Sequence, residues 1–303
     1  MEKSAFKKII VVLLALATLM LAGCQNQKLV NEDPVQDEPD TTIEKIDVPH
    51  PLSSVCFADG LGYIEGTDAD WKGALKENGI EFVEEIYTSE NGCGHIITAN
   101  ESEYFENMVD TYAVYADYDS IYVETICEDA ILEKYEVCEI NGDTTGKEIV
   151  LSFDFMGNGG AGAHTTEVWN FEYRTPNFLF SSSCDFGYAS IRSDNYEVII
   201  DNIHTGYQTR VDCSKNELVD TLYDENGNPT SLYGANFDRA YETTTKDVDG
   251  DGDCELICKE YTHFSCHADY IGSTVTTIDY NKNISGFVVV DTKFVEPENG
   301  ELV

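Results

Sequence analysis

The chain has 303 residues, with 18 Lys and Arg against 57 Asp and Glu, and its formal net charge is −39. This shortage of positive charge excludes nucleic acid as a partner, because binding phosphates requires a basic surface. Disorder along the whole chain is excluded as well, since 42% of the residues are apolar and 11% are aromatic, which is enough to build a core.

The first predicted element is a signal peptide over residues 1–23. Lys3, Lys7 and Lys8 precede an unbroken apolar run from Ile9 to Ala22. A basic start followed by a short apolar segment is typical of export signals. The run is too short to span a bilayer comfortably, which takes about 20 apolar residues.

The apolar run ends in Leu21-Ala22-Gly23-Cys24. This ending resembles the lipobox of bacterial lipoproteins. The resemblance implies that Cys24 receives the lipid and becomes the first residue of the mature chain, at the extracytoplasmic face of the cell membrane. Two or more acyl chains make a stable anchor. An ordinary secretory signal with a chance Cys is the alternative.

Residues 24–51 are predicted to be an acidic tether. The segment contains Pro34, Pro39, Pro49 and Pro51 and few large apolar residues. It therefore has little to bury, and we expect it to stay extended and solvated.

Residues 52–132 are interpreted as a mixed lead-in region, in which one or two short helices are expected. The first helix is predicted over Asp70–Asn78, with Asp68 or Asp70 as its N-cap and Gly79 as its stop signal. A second is predicted near Glu101–Val109.

Residues 133–303 are predicted to form a β-repeat region. Segments rich in Val, Ile, Thr, Tyr and Phe alternate with Gly and Asn turns, which favours a mainly β fold of antiparallel hairpins, arranged as propeller-like blades or as a β-sandwich. The predicted strands of the whole chain are Thr111–Tyr118, Ser120–Cys127, Glu133–Ile140, Ile149–Phe155, Thr165–Tyr173, Tyr196–Asp201, Tyr207–Cys213, Cys254–Phe264, Ser273–Tyr280 and Gly286–Phe294.

The clearest chemical motif is the segment 247–255, called loop 2 below. It has carboxylates at its positions 1, 3, 5, 7 and 9 and Gly at position 6. Calcium prefers six to eight hard oxygen ligands, and alternate residues of a tight loop can direct their carboxylates to one point. Position 12 is Cys258 instead of the Glu that an EF-hand needs, so a helix-loop-helix hand is not expected. A polar turn without metal is the alternative interpretation.

Loop 2 resembles the calcium loops of FG-GAP and VCBS-type repeats, since it reads Asp-x-Asp-Gly-Asp-Gly-x-x-Glu-Leu and enters a strand. The resemblance implies a structural metal between adjacent strands. It further implies that Asp247, Asp249, Asp251 and Glu255 supply side-chain oxygens, while Asp253 supplies its backbone carbonyl.

A weaker copy of the motif lies at residues 139–148, called loop 1 below. One residue is inserted, and Glu139 and Asn141 replace two of the Asp residues. Each loop is followed by a strand, a turn and another strand, which indicates a repeat of hairpins. The insertion and the nearby Lys147 favour a structural relic over a second metal site.

Cysteines near loop 2 present another possible metal motif. Cys254, Cys258, His263, Cys266 and His267 lie close together but lack the Cys-x-x-Cys spacing of zinc knuckles. We interpret these cysteines as buried residues or disulfide partners. Without Cys24, nine of the 10 Cys remain, an odd number that leaves at least one thiol free if the others pair.

No catalytic residues are assigned. His164, Ser181–Ser183 and Asp185 supply the residue types of a triad, but no nucleophile elbow accompanies them.

The sequence therefore predicts a lipid-anchored cell-surface β-repeat protein with a structural Ca²⁺ loop and a binding or structural role, with a surface protein or a glycan as the kind of ligand. An extracytoplasmic hydrolase acting on polysaccharide or peptide through an acidic pair is the alternative. A solute-binding lipoprotein is the third interpretation, which the scarcity of helix disfavours.

Overall fold

The computed structural model describes residues 51–53, 62–102, 105, 107–142, 146–156, 163–216, 218–266 and 269–297. The predicted signal peptide (1–23), the lipidation site Cys24 and the tether up to residue 50 lie outside the described residues. All described residues belong to one unit of the chain, Ile43–Val303. None of the described helices has the length and apolar character needed to cross a membrane.

The described chain is mainly β, and every strand pairing is antiparallel, which confirms the predicted fold class. The strands are β1 (Gly62–Ile64), β2 (Phe82–Thr88), β3 (Gly94–Ala99), β4 (Val109–Ala116), β5 (Ile121–Cys138), β6 (Glu148–Asp154), β7 (His164–Asn170), β8 (Asn177–Ser181), β9 (Tyr188–Ser193), β10 (Glu197–Asn202), β11 (Gln208–Asp212), β12 (Asn236–Lys246), β13 (Glu255–His263), β14 (Tyr270–Asn281) and β15 (Gly286–Val295).

Strand β5 connects the strands on its N-terminal side, β1 to β4, with the strands β6 to β8. It is 18 residues long, and its residues 121–130 pair with β4 while residues 131–138 pair with β6. Strands β2 to β8 therefore form one large sheet in sequence order, to which β1 is added at the start of β5. The proposed division between residues 132 and 133 falls inside this strand, so the two regions share one sheet.

The helix predicted over Asp70–Asn78 is present as α1 (Trp71–Glu77), with Asp70 at the N-cap and a glycine, Gly79, at φ 86° just beyond its end. Its buried side chains Trp71 and Leu75 pack on the large sheet with residues of β3, β4 and β5. This packing stabilises a helix that is too short to be stable alone.

The described residues of 101–108 are not helical, so the second predicted helix is wrong at those positions. Asn107 has φ 68°, which a right-handed helix does not allow, and β4 begins at Val109. Elsewhere in the described chain, short helical segments include α2 (Val219–Leu222) and a 3₁₀ turn (Glu172–Arg174).

The two smaller sheets are β9–β10–β11 and β12–β13–β14–β15. The four-stranded sheet packs face to face on strands of the large sheet, because Val150, Val168 and Phe180 share a buried cluster with Leu256 and Ile278. The three-stranded sheet is held by a separate cluster of buried residues from its own strands, α2 and β14.

Two parts of the chain repeat the same order of strands. Strands β5 to β8 and strands β12 to β15 each run as a four-stranded antiparallel meander. Loop 1 joins the first two strands of the first meander, and loop 2 joins the first two strands of the second. In both, the last residue of the first strand pairs with the Glu that begins the next, as Cys138 with Glu148 and Lys246 with Glu255.

Candidate metal centre

Loop 2 turns sharply between β12 and β13. Gly250 and Gly252 have φ of 83° and 102°, in the region that side chains rarely adopt, and neither would meet another atom through a Cβ. The glycines are therefore required by the backbone of the turn and not by crowding around it.

Backbone N–H groups orient the acidic side chains of loop 2. The Gly250 N–H donates to Asp247 Oδ1 at 2.6 Å, and the Asp251 N–H donates to Asp249 Oδ1 at 3.0 Å. The Val248 N–H donates to Glu255 Oε2 at 2.6 Å. Each of these bonds fixes one carboxylate oxygen relative to the backbone of the loop.

Three carboxylates of loop 2 converge. One oxygen from each of Asp247, Asp249 and Glu255 lies within 4.8 Å of the other two. Oxygens bound to a single calcium ion at 2.3–2.6 Å can be at most about 5 Å apart, so this set fits one calcium ion. Glu255 is only 4% exposed, whereas Asp247 and Asp249 are exposed. The site is therefore shielded from solvent at Glu255 and open to solvent at Asp247 and Asp249.

The side chains of Asp251 and Asp253 do not join this set, although the ligand expected from Asp253 is its backbone carbonyl. The Asp251 side chain is exposed, and its Oδ1 accepts the Asp253 N–H at 2.9 Å. The Asp253 carboxylate forms an ion pair with Lys282, with Nζ 2.9 Å from Oδ2. The structure thus brings together the side chains of three of the five predicted residues.

Asp279 is a further acidic residue at this site that the sequence analysis missed. It follows Ile278 of β14, which pairs with Leu256 of β13. Burial raises the pKa of Asp279, and the negative charges of Asp251, Asp249 and Asp253 raise it further. Only the register between β13 and β14 reveals this neighbourhood, so no local motif could have indicated it.

The electrostatics of Glu255 show the same crowding of negative charge. Burial raises its pKa, while the hydrogen bond from the Val248 N–H opposes the shift, and the charges of Asp249 and Asp279 raise the pKa further. In the absence of a cation, the folded chain therefore holds Glu255 at a position where its ionisation is unfavourable.

Loop 1 contains the same kind of hydrogen bond, from a backbone N–H near its start to the glutamate at its end. The Ile140 N–H donates to Glu148 Oε2 at 2.8 Å, as the Val248 N–H does to Glu255. Asn170 Nδ2 lies 3.5 Å from the other oxygen of Glu148. Glu148 is fully buried, and burial raises its pKa. Residues 143–145 of this loop lie outside the described residues.

The cysteines and histidines near loop 2 do not form a second metal centre in the described part of the chain. The only convergent group of three or more His, Cys, Asp or Glu ligands found there is Asp247, Asp249 and Glu255. Cys258 is fully buried and accepts a hydrogen bond from Thr243. Of the other two thiols of the group, Cys254 is half-buried and Cys266 is exposed. His267 lies outside the described residues.

The residue types of a triad are each bonded to other groups. His164 contacts Glu133, with Nδ1 3.2 Å from Oε2, and the Ser181 and Ser183 hydroxyls are bonded to each other at 2.9 Å. Asp185 accepts the N–H of Gly187.

Two buried glutamates have strongly shifted pKa values in separate surroundings. Burial raises the pKa of Glu167 to about 7, and its Oε2 accepts the indole N–H of Trp169. Burial raises the pKa of Glu260 to about 8, and its Oε2 accepts the hydroxyl of Thr274. Both are neutral acids over part of the physiological pH range.

Comparison with known proteins gives one partial match. Residues 187–295 match the model of the family described as YybI C-terminal domain. The match begins one residue before β9 and ends with β15, so it includes loop 2 and covers roughly a third of the chain. No curated protein and no solved structure matches the chain.

Proposed function

We propose that the chain is an exported protein, held at the extracytoplasmic face of a bacterial cell membrane by a lipid on Cys24, and that loop 2 binds a structural Ca²⁺ ion. Its role there is binding or structural, without catalysis. The observation that carries the metal assignment is the convergence of Asp247, Asp249 and Glu255 within 4.8 Å.

The donor set supports calcium over softer metals. All three side chains offer carboxylate oxygens, which suit hard cations, while thiols and imidazoles are absent from this convergent set. Backbone carbonyls and water supply the remaining ligands that calcium takes in such loops. The exposure of Asp247 and Asp249 leaves room for that water.

A bound cation also accounts for the acidic surroundings of loop 2. Like charges at about 4 Å repel by about 1 kcal/mol even in water, and more where solvent is excluded. Glu255 and Asp279 both have raised pKa values through burial and neighbouring carboxylates. A divalent ion offsets this repulsion and ties the start of β13 to the end of β12.

Exposed aromatic and basic side chains support a binding role. Tyr118 and Tyr173 are 71% and 88% exposed, and the Arg174 guanidinium lies 5.6 Å from the Tyr118 ring. Tyrosine and arginine are the residue types that protein interfaces favour. A surface protein or a glycan is the partner class expected at the cell surface.

The calcium assignment is tested by thermal unfolding with saturating calcium and with a chelator. Wild-type protein is expected to melt about 3–8 °C higher with calcium, and Asp249→Asn to lose most of that shift. Asp251→Asn is the matched control, because it removes one charge from the same loop but outside the convergent set. Equal melting temperatures of the wild type in calcium and in chelator would contradict the assignment.

The anchor is tested separately by expressing the full chain in a bacterium with labelled palmitate. The wild type is expected to incorporate label and to partition into detergent, and Cys24→Ser to do neither. Label in the Cys24→Ser variant, or an unlabelled wild type, would contradict lipidation at Cys24.

A further inference from the structure

The two loops lie side by side through one backbone hydrogen bond. The Cys254 N–H donates to the Glu139 carbonyl at 2.7 Å. Backbones joined by such a bond lie about 5 Å apart, and a disulfide requires a Cα separation of about 4.4–6.8 Å. Cys138, the last residue of β5, immediately precedes Glu139, so the bond brings two cysteines from opposite meanders together.

The side chains of Cys138 and Cys254 also lie in the same surroundings. Both pack against the same buried cluster, and the pKa of Cys138 is raised by burial and next by the charge of Cys254, which is therefore a near neighbour. Glu136, two residues before Cys138 and therefore on the same face of β5, accepts the Thr245 hydroxyl at 2.7 Å. This face of β5 is thus in contact with the ends of the strands that loop 2 connects.

We propose that Cys138 and Cys254 form a disulfide that covalently joins the end of β5, directly before loop 1, to loop 2. In the reaction, one thiolate attacks a low-molecular-weight disulfide or the disulfide of an exported oxidoreductase, and one thiol of that oxidant leaves. The second cysteine thiolate then displaces the other. Two cysteine thiols are oxidised, the oxidant is reduced to two thiols, and the protons pass to the leaving thiolates.

Access distinguishes this pair from the neighbouring one. Cys184 and Cys258 also pack in this cluster, but Cys258 is 0% exposed. Cys138 and Cys254 are both half-buried, so an oxidant reaches them without unfolding. The expectation of an oxidising environment rests on the export proposed above, because disulfides persist outside the cytosol. The position of the two thiols in the fold does not depend on that proposal.

The disulfide would restrain loop 2 next to its convergent carboxylates. Cys254 lies directly before Glu255, the buried member of the convergent carboxylates. A crosslink between distant positions removes conformational freedom from the unfolded chain, and the gain increases with the length of chain enclosed. We expect oxidation to raise the melting temperature by about 5–10 °C.

The test uses the full chain purified under reducing conditions and then exposed to oxidised glutathione. After alkylation of the remaining thiols, proteolysis and mass spectrometry are expected to find a peptide linked through Cys138 and Cys254. Cys254→Ser is expected to lose the linked peptide and the rise in melting temperature, while the exposed control Cys266→Ser keeps both.

Alkylated Cys138 and Cys254 in folded wild-type protein after oxidation, or pairing of either with another cysteine, would overturn the proposal. The mapping is done on the wild type, so it remains decisive even where a variant fails to fold. It requires neither calcium nor lipid, so its failure is distinguishable from failure of the proposed function.

Discussion

Loop 1 and loop 2 occupy the same place in two four-stranded meanders, yet their buried glutamates have different neighbours. Both Glu148 and Glu255 begin a strand and accept a backbone N–H from the start of the loop. Around Glu148 the added hydrogen-bond partner is the neutral amide of Asn170, and one carboxylate, that of Glu139, raises its pKa. Around Glu255 the neighbours are the carboxylates of Asp249 and Asp279.

Comparing the two loops separates two roles of the motif, which are shaping the turn and holding a cation. The bond from the backbone to the glutamate shapes the turn, and it is present in both loops. The surrounding charge sets how strongly a cation would be held. Loop 1 bonds its glutamate to neutral donors with one carboxylate, that of Glu139, nearby, whereas in loop 2 the oxygens of three acidic side chains converge. Under the proposed function, a loop without metal and a metal-binding loop would share one backbone arrangement.

The largest expected effect comes from removing the buried glutamate of loop 1. Glu148→Ala leaves the N–H groups of Ile140 and Asn141 without their acceptor in a fully buried position, so we expect a loss of about 2–4 kcal/mol in the free energy of unfolding. Glu148→Gln keeps an acceptor oxygen and should lose less. Urea unfolding measures both.

The companion variant Glu255→Ala sharpens the contrast between the loops. Glu148→Ala should lose the same free energy in calcium and in chelator, whereas Glu255→Ala should abolish the calcium-induced stabilisation. If Glu148→Ala reduced that stabilisation as much as Glu255→Ala does, the separation of roles would be refuted.

A smaller effect is expected in the pH dependence of the calcium response. The pKa values of Glu255 and Asp279 are raised in the folded chain from ordinary values of 4.5 and 3.8. Above those ordinary values the calcium-free folded state binds more protons than the unfolded state, so its stability falls as pH rises. Calcium removes this penalty by favouring the ionised carboxylates.

The stabilisation by calcium should therefore grow with pH and level off above the raised pKa values, reaching about 1.4–2.7 kcal/mol at about 10 to 100 times the Kd. This growth is measured by melting temperatures with calcium and with chelator, taken from below the ordinary pKa values to above the raised ones. Asp279→Asn should flatten the dependence. A response that decreased as pH rose would contradict the assigned electrostatics.

The smallest effect concerns the ammonium group beside loop 2. Lys282→Met removes a cation bonded to Asp253, so calcium should bind about two- to fivefold more tightly. Lys259→Met is the matched control, since it breaks an exposed ion pair with Glu242 on the same sheet but away from the loop. Calorimetric titration compares the two, and equal affinity changes would rule out a local effect of Lys282.

Nine of the fifteen described strands were predictable, because apolar and β-branched residues mark them. All ten predicted segments fall on strands, although β5 joins two of them across residues 128–132. Strand β12 was missed because its sequence mixes charged and polar residues and its pairing with β13 contains register shifts. Strand β2 was missed for the same reason, with Glu84 and Glu85 inside it. Strands β1, β3, β8 and β9, each three to six residues long, were not predicted either.

The convergent carboxylates were predictable from the sequence only in part. The spacing of the loop indicated Asp247, Asp249 and Glu255 as candidate ligands, and the structure brings their oxygens together. The spacing could not reveal that Asp253 pairs with Lys282, which lies 29 residues away. Nor could it reveal the proximity of Asp279, which depends on the register of β13 and β14. Local spacing identifies candidate ligands, and tertiary contacts select among them.

One face of the four-stranded sheet is covered by residues that precede the segment matching the known family. The segment that matches the known family begins at residue 187, yet its Leu256 and Ile278 are covered by Val150, Val168 and Phe180 from the preceding part of the chain. A fragment starting at residue 187 would expose this apolar face to water and invite self-association. The smallest autonomous folding unit therefore extends well upstream of the recognisable segment.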